Sequence, residues 1–485
     1  MESRVLKRIL LVSALIAIAF AGLGSPEGDD LMPVTTSSPK AKALYLEAID
    51  QVFEKGDQVK CTELLKKALE IDPDFALANT WYAFMGIGSL EQEKYLAAAL
   101  AQADKVSVPE KHFVRSYSAF AKRNYDEAVS EMKAAVEAAP GDKYVLFHMA
   151  NILGNIGKYS EALDYAKLSS EKDPKFGTAL DYQGFLLRNL KRPEESEKAF
   201  IRAIELNPAN TQFLNDYAQL LRSQDRIDEA ISMHKKALSI RQDYLSNLYL
   251  GHCYVAKDNY PEAREQYLKA KEASYTNGQK SSCLESVGYT NLYEGNLPEA
   301  LAAFDRMADF DRQSPGMNAG IINADIDKAY SCILYEEYEK YNRYLADMRE
   351  HTKTLDLTES DRSLFNMYGN IVECYLYAYK GDTEKAQLSL NRFEESLSER
   401  QKDLYKSDIM EVKGLIDYHK GNYAEAIASL EQAGTMAQYY TGLAYEKLGN
   451  KEKARETYQK ISDNKLTGFE LAATKPFARK RLAQL

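Results

Sequence analysis

Small side chains recur in this chain at an interval of 34 residues. The series runs through Ala128, Ala162, Ser196, Ala230, Ala263 and Ala300, with the last two steps being 33 and 37 residues. Pro140, Pro174 and Pro208 keep the same interval. A repeat of this length is typical of a helical solenoid, in which each unit packs against its neighbours. The pattern therefore predicts a long array of helices with an extended surface, instead of one compact core.

One repeat unit can be followed through residues 143–174. Leu146 and Leu153 recur at helical spacing, and the next glycine, Gly157, can adopt the left-handed conformation that ends a helix. A second helix carries Ala162 and ends before Pro174, which cannot extend a helix. We therefore predict a pair of antiparallel helices that is repeated along the chain.

This pattern resembles the tetratricopeptide repeat family. The family's motif has a small residue midway along the first helix, a second one early in the next helix and a third later in it. These places are held here by Ala150, Ala162 and Ser169, and one repeat later by Gly184, Ser196 and Ala203. Small residues let two helices cross closely. The resemblance covers most of residues 42–465 and implies an all-α, right-handed superhelical solenoid of antiparallel helix pairs.

The repeat pattern also suggests how the chain is divided. Residues 41–308 are expected to form a regular N-terminal array, and residues 320–467 a divergent C-terminal array beyond the break at Ser314-Pro315-Gly316. Residues 468–485 are expected to form a helix that caps the open end. Residues 22–40 contain few apolar side chains and are expected to be a flexible linker.

The first 21 residues are organised like a secretory signal peptide of an exported bacterial protein. Arg4, Lys7 and Arg8 precede an apolar run, and Ala19-Phe20-Ala21 supplies the small residues of a cleavage site. The run is shorter than the roughly 20 residues that span a bilayer. We expect a periplasmic or secreted mature protein. An uncleaved anchor is the alternative, and it is the only route to membrane contact that we foresee.

Composition and spacing exclude several classes of function. The net charge of −10 repels phosphate backbones, so nucleic acid is not an expected partner. The six histidines and five cysteines show no metal-ligand spacing. We expect the cysteines to be buried as small apolar residues, with one disulfide as the alternative in an oxidising compartment. We predict no catalytic residue, metal or cofactor, and no enzymatic activity.

The family resemblance implies that the first helix of each pair lines a concave groove for a protein or peptide partner. The residues predicted to bind this partner are Phe147, Asn151, Phe185, Arg188, Asn215, Gln219 and Arg222. The basic clamp with which some members of the family hold C-terminal carboxylates is not matched at these positions. Phe113, Tyr117 and Phe120 fit the groove or, after a slip of one residue, the core.

Closely spaced tyrosines provide the alternative function. They are Tyr335, Tyr338, Tyr341 and Tyr344, followed by Tyr375, Tyr377 and Tyr379. Such rings pack between repeats or form a stacking platform for a glycan. We predict an exported scaffold or adaptor for protein–protein interaction, and keep a glycan- or polymer-binding accessory protein of the cell envelope as the alternative.

Overall fold

The computed structural model describes residues 31–85, 88–465 and 467–485, and every regular element in these ranges is a helix. The predicted signal peptide at residues 1–21 lies outside the described residues. The helices, α1 to α26 in order, are Pro39–Phe53, Gln58–Ile71, Ala76–Tyr82, Ser89–Gln102, Val108–Ala121, Tyr125–Ala138, Lys143–Asn155, Tyr159–Lys172, Gly177–Asn189, Pro193–Leu206, Thr211–Ser223, Ile227–Ile240, Tyr244–Ala256, Tyr260–Ala273, Asn277–Tyr293, Leu297–Arg312, Asn318–Ile333, Tyr338–Thr354, Glu359–Lys380, Thr383–Glu395, Glu399–Leu404, Lys406–Lys420, Tyr423–Leu430, Thr435–Lys447, Lys451–Asp463 and Phe469–Leu482. Consecutive helices pack as pairs in series, which confirms the all-α solenoid class.

The small residues of the motif lie where two helices of a pair touch. Ala162, Ser196 and Ala203 are fully buried. The Ser196 hydroxyl donates a hydrogen bond to the carbonyl of Gly184 at 2.7 Å, and a Cβ added to Gly184 would lie 2.8 Å from the ring of Phe200. A larger side chain would push α9 and α10 apart, which explains why the sequence keeps these positions small.

The turn inside each pair places one residue in the left-handed region of backbone space. Gly157 has φ of +81°, as the sequence predicts. Arg123, Lys191 and Asp225 occupy the same place in neighbouring repeats, with φ between 60° and 62°. Left-handed backbone costs a non-glycine residue about 1–2 kcal/mol. The backbone therefore adopts the left-handed conformation at 34-residue intervals, even where the residue at that position is not glycine.

Contacts divide the chain into two compact units. The N-terminal unit contains the described residues up to 253 together with 272–279, and the C-terminal unit contains residues 254–271 and the described residues from 280 onward. The sequence break near residue 315 does not mark this division. It is a short turn between α16 and α17, which pack against each other within the C-terminal unit.

Residues 31–38 bind to the helices of the N-terminal unit, although the sequence analysis assigned them to a flexible linker. The Met32 amide donates to Asp142 Oδ2 at 3.0 Å, and both the amide and the hydroxyl of Thr35 donate to Glu110, at 2.7 and 2.6 Å. The Thr36 hydroxyl donates to Asp72 Oδ2 at 2.5 Å. Buried carboxylates thus hold a polar segment that low apolar content alone would leave free.

The turn between α1 and α2 contacts the loops of later repeats in the N-terminal unit. Thr178 and Asn210 donate to the carbonyl of Phe53, at 3.1 and 3.0 Å. Further donors to carbonyl or amide oxygens at residues 54–58 are Asn207, Arg241 and Tyr275, each 34 residues after the last. The first helix pair is therefore held by the loops of four successive repeats as well as by its sequence neighbour.

The C-terminal unit holds its last helix, α26, among the other helices. Phe469 packs against Tyr289 and Tyr330, with ring centres 5.7 and 5.9 Å apart. Arg479 donates to Asp258 Oδ2 at 2.6 Å. Most side chains from Phe469 to Lys475 are buried, so this half of α26 lacks the polar outer face that we expected of a capping helix.

Candidate partner-binding site

Three of the seven predicted binding residues are buried in the N-terminal unit: Asn151 is 2% exposed, and Phe147 and Asn215 lie in the core. Phe147 is fully buried, with its ring centre 5.7 Å from that of Phe53 and 5.4 Å from that of Tyr182. Asn215 is 1% exposed, and its amide nitrogen donates to the hydroxyl of Ser246 at 2.9 Å. The expectation that these two side chains face an open groove is wrong, because the end of α1 covers one and α13 the other.

The aromatic residues of α5 lie in the core and not in the groove, which were the two positions that the sequence allowed. Phe113, Tyr117 and Phe120 are all buried, and the Tyr117 hydroxyl lies 2.6 Å from His148 Nδ1. These rings are therefore not available to a partner.

The other five predicted residues come together on the first helices of three consecutive repeats. Asn151 lies on α7, Phe185 and Arg188 on α9, and Gln219 and Arg222 on α11. All but Asn151 are half-buried. The Phe185 ring stacks on Tyr182 at 5.4 Å and 11°, and the Arg188 guanidinium lies 5.2 Å from the Phe185 ring centre. We call these five residues the first-helix row. Partner binding by this row stays a prediction.

Several polar atoms of this row are buried without a hydrogen-bond partner. They are Asn151 Nδ2, Gln219 Nε2 and Arg222 Nη1. Leaving such a group unpaired costs about 1–3 kcal/mol, so proteins rarely keep one without a reason. Three of them on α7 and α11 make this surface the best candidate for contact with another molecule.

Two acidic residues that the predicted set lacks border the row. The pKa of Asp181 is raised well above its ordinary value by burial and then by the nearby charge of Asp216. Burial also raises the pKa of Asp216, while Arg188 acts in the opposite direction. Burial therefore favours the protonated form of both carboxyls, while the nearby charge of Arg188 favours their ionised form. Helical spacing offered a weak signal for Asp181, which holds the same repeat position as Phe147 and Asn215, but none for Asp216.

Buried histidines next to the row are neutral. Burial, with a smaller contribution from the charge of Arg222, lowers the pKa of His234 to about 3. Its Nδ1 lies 2.8 Å from the Asn215 oxygen, whose amide nitrogen already donates to Ser246, so Nδ1 carries the proton. His234 therefore fixes Asn215 and does not act as an acid or base near neutral pH.

Metal-ligating side chains are dispersed in the described ranges. Within them, no three His, Cys, Asp or Glu side chains are grouped closely enough to hold a metal ion. The five cysteines are free and buried, as expected, and burial raises the pKa of the Cys253 and Cys374 thiols to about 11. In residues 31–85, 88–465 and 467–485, no helix has the length and apolar character that crossing a membrane requires.

The tyrosines of the alternative hypothesis are mostly packing residues. Tyr341, Tyr375 and Tyr379 are fully or almost fully buried. The Tyr341 hydroxyl donates to the Val372 carbonyl at 2.8 Å, and the Tyr379 hydroxyl donates to Glu411 at 2.6 Å. These three rings cannot stack on a sugar. Tyr335, Tyr338 and Tyr377 are half-buried, and a stacking platform at those positions stays a prediction.

Comparisons with known proteins agree with the fold. Tetratricopeptide repeat family models match residues 113–175, 183–244 and 436–464. Small glutamine-rich tetratricopeptide repeat-containing protein 2 of Mycosarcoma maydis is 30% identical over 92 residues, which are 19% of this chain and 26% of that protein. BBSome complex member BBS4 of Bos taurus is 24% identical over 220 residues, covering 38% of this chain and 42% of that protein. The chain therefore spans less than half the length of these relatives.

Solved structures with partial similarity to this chain include tetratricopeptide repeat proteins. A tetratricopeptide repeat protein from Parabacteroides merdae ATCC 43184 has 17% sequence identity and a TM-score of 0.35, and the match covers 56% of this chain and 94% of that one. The repeat interval, the helix pairs and the matched models lead to one conclusion: this chain contains tetratricopeptide repeats within an all-α array of helix pairs.

Proposed function

We propose that this chain is an exported, non-catalytic adaptor that binds a segment of another protein along the first-helix row. The observation that carries the proposal is the alignment of Asn151, Phe185 and Gln219, each one repeat from the next. Side-chain amides can pair with the peptide groups of an extended segment, while the aromatic ring covers its apolar side chains.

The spacing of the helices indicates how long the bound segment is. Packed helices lie about 8–10 Å apart, so three first helices span about 16–20 Å. An extended chain rises about 3.3 Å per residue. A segment of five or six residues therefore reaches from Asn151 on α7 to Gln219 on α11.

Export rests on the N-terminal sequence. The basic start, the short apolar run and Ala19-Phe20-Ala21 are what a secretion pathway recognises and cleaves. The adaptor and its partner then meet in the periplasm or outside the cell. The acidic surface supports a protein partner over nucleic acid, because it repels phosphate.

Photo-crosslinking in the producing cell tests the proposal. Phe185 is replaced by the photoreactive residue benzoylphenylalanine, and the same residue at Ile201 is the control. Ile201 is 42% exposed on α10, outside the row. We expect a specific protein adduct at position 185 and none at position 201. Equal adducts at both positions would contradict the proposal.

The identified partner is then purified and its affinity is measured. We expect Phe185→Ala to weaken binding by at least about tenfold, as truncation of a central aromatic contact does. Unchanged affinity would remove the row from the interface.

A further inference from the structure

Helix α26 covers three other helices of the C-terminal unit with its aromatic side chains. The ring of Phe469 contacts Tyr289 on α15 and Tyr330 on α17, as described above. The ring of Phe477 packs against Tyr439 on α24, with ring centres 6.1 Å apart. Phe469 and Phe477 are eight residues apart, which is a spacing found within the apolar stripe of a helix. One side of α26 therefore lies across α15, α17 and α24.

The place of Tyr289 in its repeat corresponds to that of Phe185, a member of the first-helix row. Tyr289 lies 11 residues before Ala300, and Phe185 lies 11 residues before Ser196. Ala300 and Ser196 belong to the same series of small residues, and both are fully buried. The surface that we assign to a partner in the N-terminal unit is therefore occupied, in the C-terminal unit, by the chain's own helix.

A carboxylate supplies the charge that complements α26. Asp258 accepts from Arg479 at 2.6 Å and lies 3.3 Å from the ammonium nitrogen of Lys475. At the other end of the helix, Glu470 accepts from the Thr435 amide at 2.7 Å, which fixes the start of α26 on α24. The covered surface thus favours a helix that combines aromatic side chains with a basic residue near Asp258.

Three features make α26 a weak helix without this surface. Pro476 lies inside it, where a proline removes a backbone hydrogen bond and clashes with the preceding turn. No side chain caps its start at Gly468, whereas Asn450 caps α25 by accepting from the Lys453 amide at 3.1 Å. Lys475 is only 1% exposed, and burying a charge is costly even when it is paired. Folding and docking of α26 are therefore coupled, and a helix without these defects binds the same surface more tightly.

We infer that α26 is a displaceable cover, and that the surface beneath it binds a helical segment of another protein. The segment carries two aromatic side chains eight residues apart and a basic residue two positions after the second, in the places of Phe469, Phe477 and Arg479. This surface is separate from the first-helix row, so the inference does not depend on the proposed function.

The strength of the cover decides between a foreign segment and a second copy of this chain. A short connection holds α26 near its own surface at an effective concentration on the order of 1 mM. An identical helix from a second copy carries the same Pro476 and the same Lys475, so it does not compete with the tethered one. A segment of another protein that lacks these two residues does compete.

Two labelled peptides of residues 468–485 test the displacement, one with the native sequence and one with Pro476→Ala. We expect the Pro476→Ala peptide to bind the purified protein at least about tenfold more tightly than the native peptide. Hydrogen exchange in α26 of the protein should rise when this peptide binds, while exchange in α25 stays constant. Equal affinities, no binding of either peptide, or binding that leaves α26 protected would overturn the inference.

Variants of the protein locate the binding site. Phe469→Ala together with Phe477→Ala weakens the chain's own α26, so this double variant should bind the native peptide at least about tenfold more tightly than the parent does. Adding Asp258→Ala should weaken that binding about three- to tenfold, because it removes the partner of the peptide's arginine. Adding Asp309→Ala, which removes the partner of Arg312 on α16, should have almost no effect. Equal losses from the two aspartate changes would overturn the inference.

Two further measurements complete the test. Hydrogen exchange in α15 and α17 shows whether the double variant stays folded. If it does not, Arg479→Glu, which repels Asp258, replaces it in the same comparison. Light scattering of the parent over a range of concentrations reports self-association, and a dimer that Phe469→Ala abolishes would assign the surface to a second copy and overturn the choice of partner.

Discussion

Asp311 on α16 makes the stability of the C-terminal unit depend on pH. Its side chain is 1% exposed, with one oxygen accepting from the Ser281 hydroxyl at 2.8 Å and the other unpaired. Burial raises its pKa from 3.8 to about 7, with a further contribution from Glu285. The folded chain thus binds a proton that the unfolded chain releases near pH 4. Stability is therefore lost as the pH rises from about 4 to about 7.

Asp311→Asn removes this loss, because the amide keeps an oxygen for Ser281 and carries no charge. Each pH unit between the two pKa values is worth about 1.4 kcal/mol. From pH 5 to pH 7, the advantage of the variant over the parent should grow by about 2.3 kcal/mol, and from pH 7 to pH 8 it should level off.

Native-state hydrogen exchange, read by mass spectrometry on peptides from α16 and α17, measures the opening free energy of this region alone. The control is Asp309→Asn on the same helix. Asp309 is 65% exposed and paired with Arg312 at 2.6 Å, so its loss should change stability by less than about 1 kcal/mol at any of these pH values. An advantage of Asp311→Asn that does not change between pH 5 and pH 7 would refute the reasoning.

Two further predictions concern the repeats and the N-terminus. Gly184→Ala should destabilise the N-terminal unit by up to about 2 kcal/mol in urea unfolding, since overpacking against Phe200 exceeds the gain in helix propensity. Gly369→Ala, where the nearest atom lies 3.7 Å from an added Cβ, should be neutral or stabilising, and equal effects of the two would contradict the packing argument. The mass of the exported protein should correspond to a chain that begins at residue 22, whereas an intact Met1 in the membrane fraction would favour the anchor.

Local patterns in the sequence predict the fold well. The left-handed turn at Gly157 and the buried contact at Ala162 depend on residues within one helix pair. Both can therefore be predicted from a stretch of 34 residues. The packing of Phe147 depends on Phe53, which lies 94 positions earlier and in no repeat relation to it. The repeat register carries no information about this distant contact, so it predicted that Phe147 lines the groove.

The candidate site is predicted only in part for a similar reason. Period and family resemblance select Phe185, Arg188, Gln219 and Arg222. The raised pKa values of Asp181 and Asp216 result from their burial and from the approach of α9 and α11, which spacing does not reveal. Likewise, whether an arginine is paired depends on its neighbours in space, so Arg222 and Arg226, which is paired with Glu197, look alike in the sequence.

The contacts of the α1–α2 turn change how the N-terminal unit folds. In an open solenoid each repeat meets only adjacent repeats, so an end repeat can fray alone and folding can begin anywhere. Here residues 53–58 bind Thr178, Asn207, Arg241 and Tyr275, at separations of 125 to 217 residues. Closing such long loops carries an entropic cost and slows folding. Helices α1 and α2 are consequently among the last of the unit to complete their contacts, and the two ends of the unit fold and unfold together.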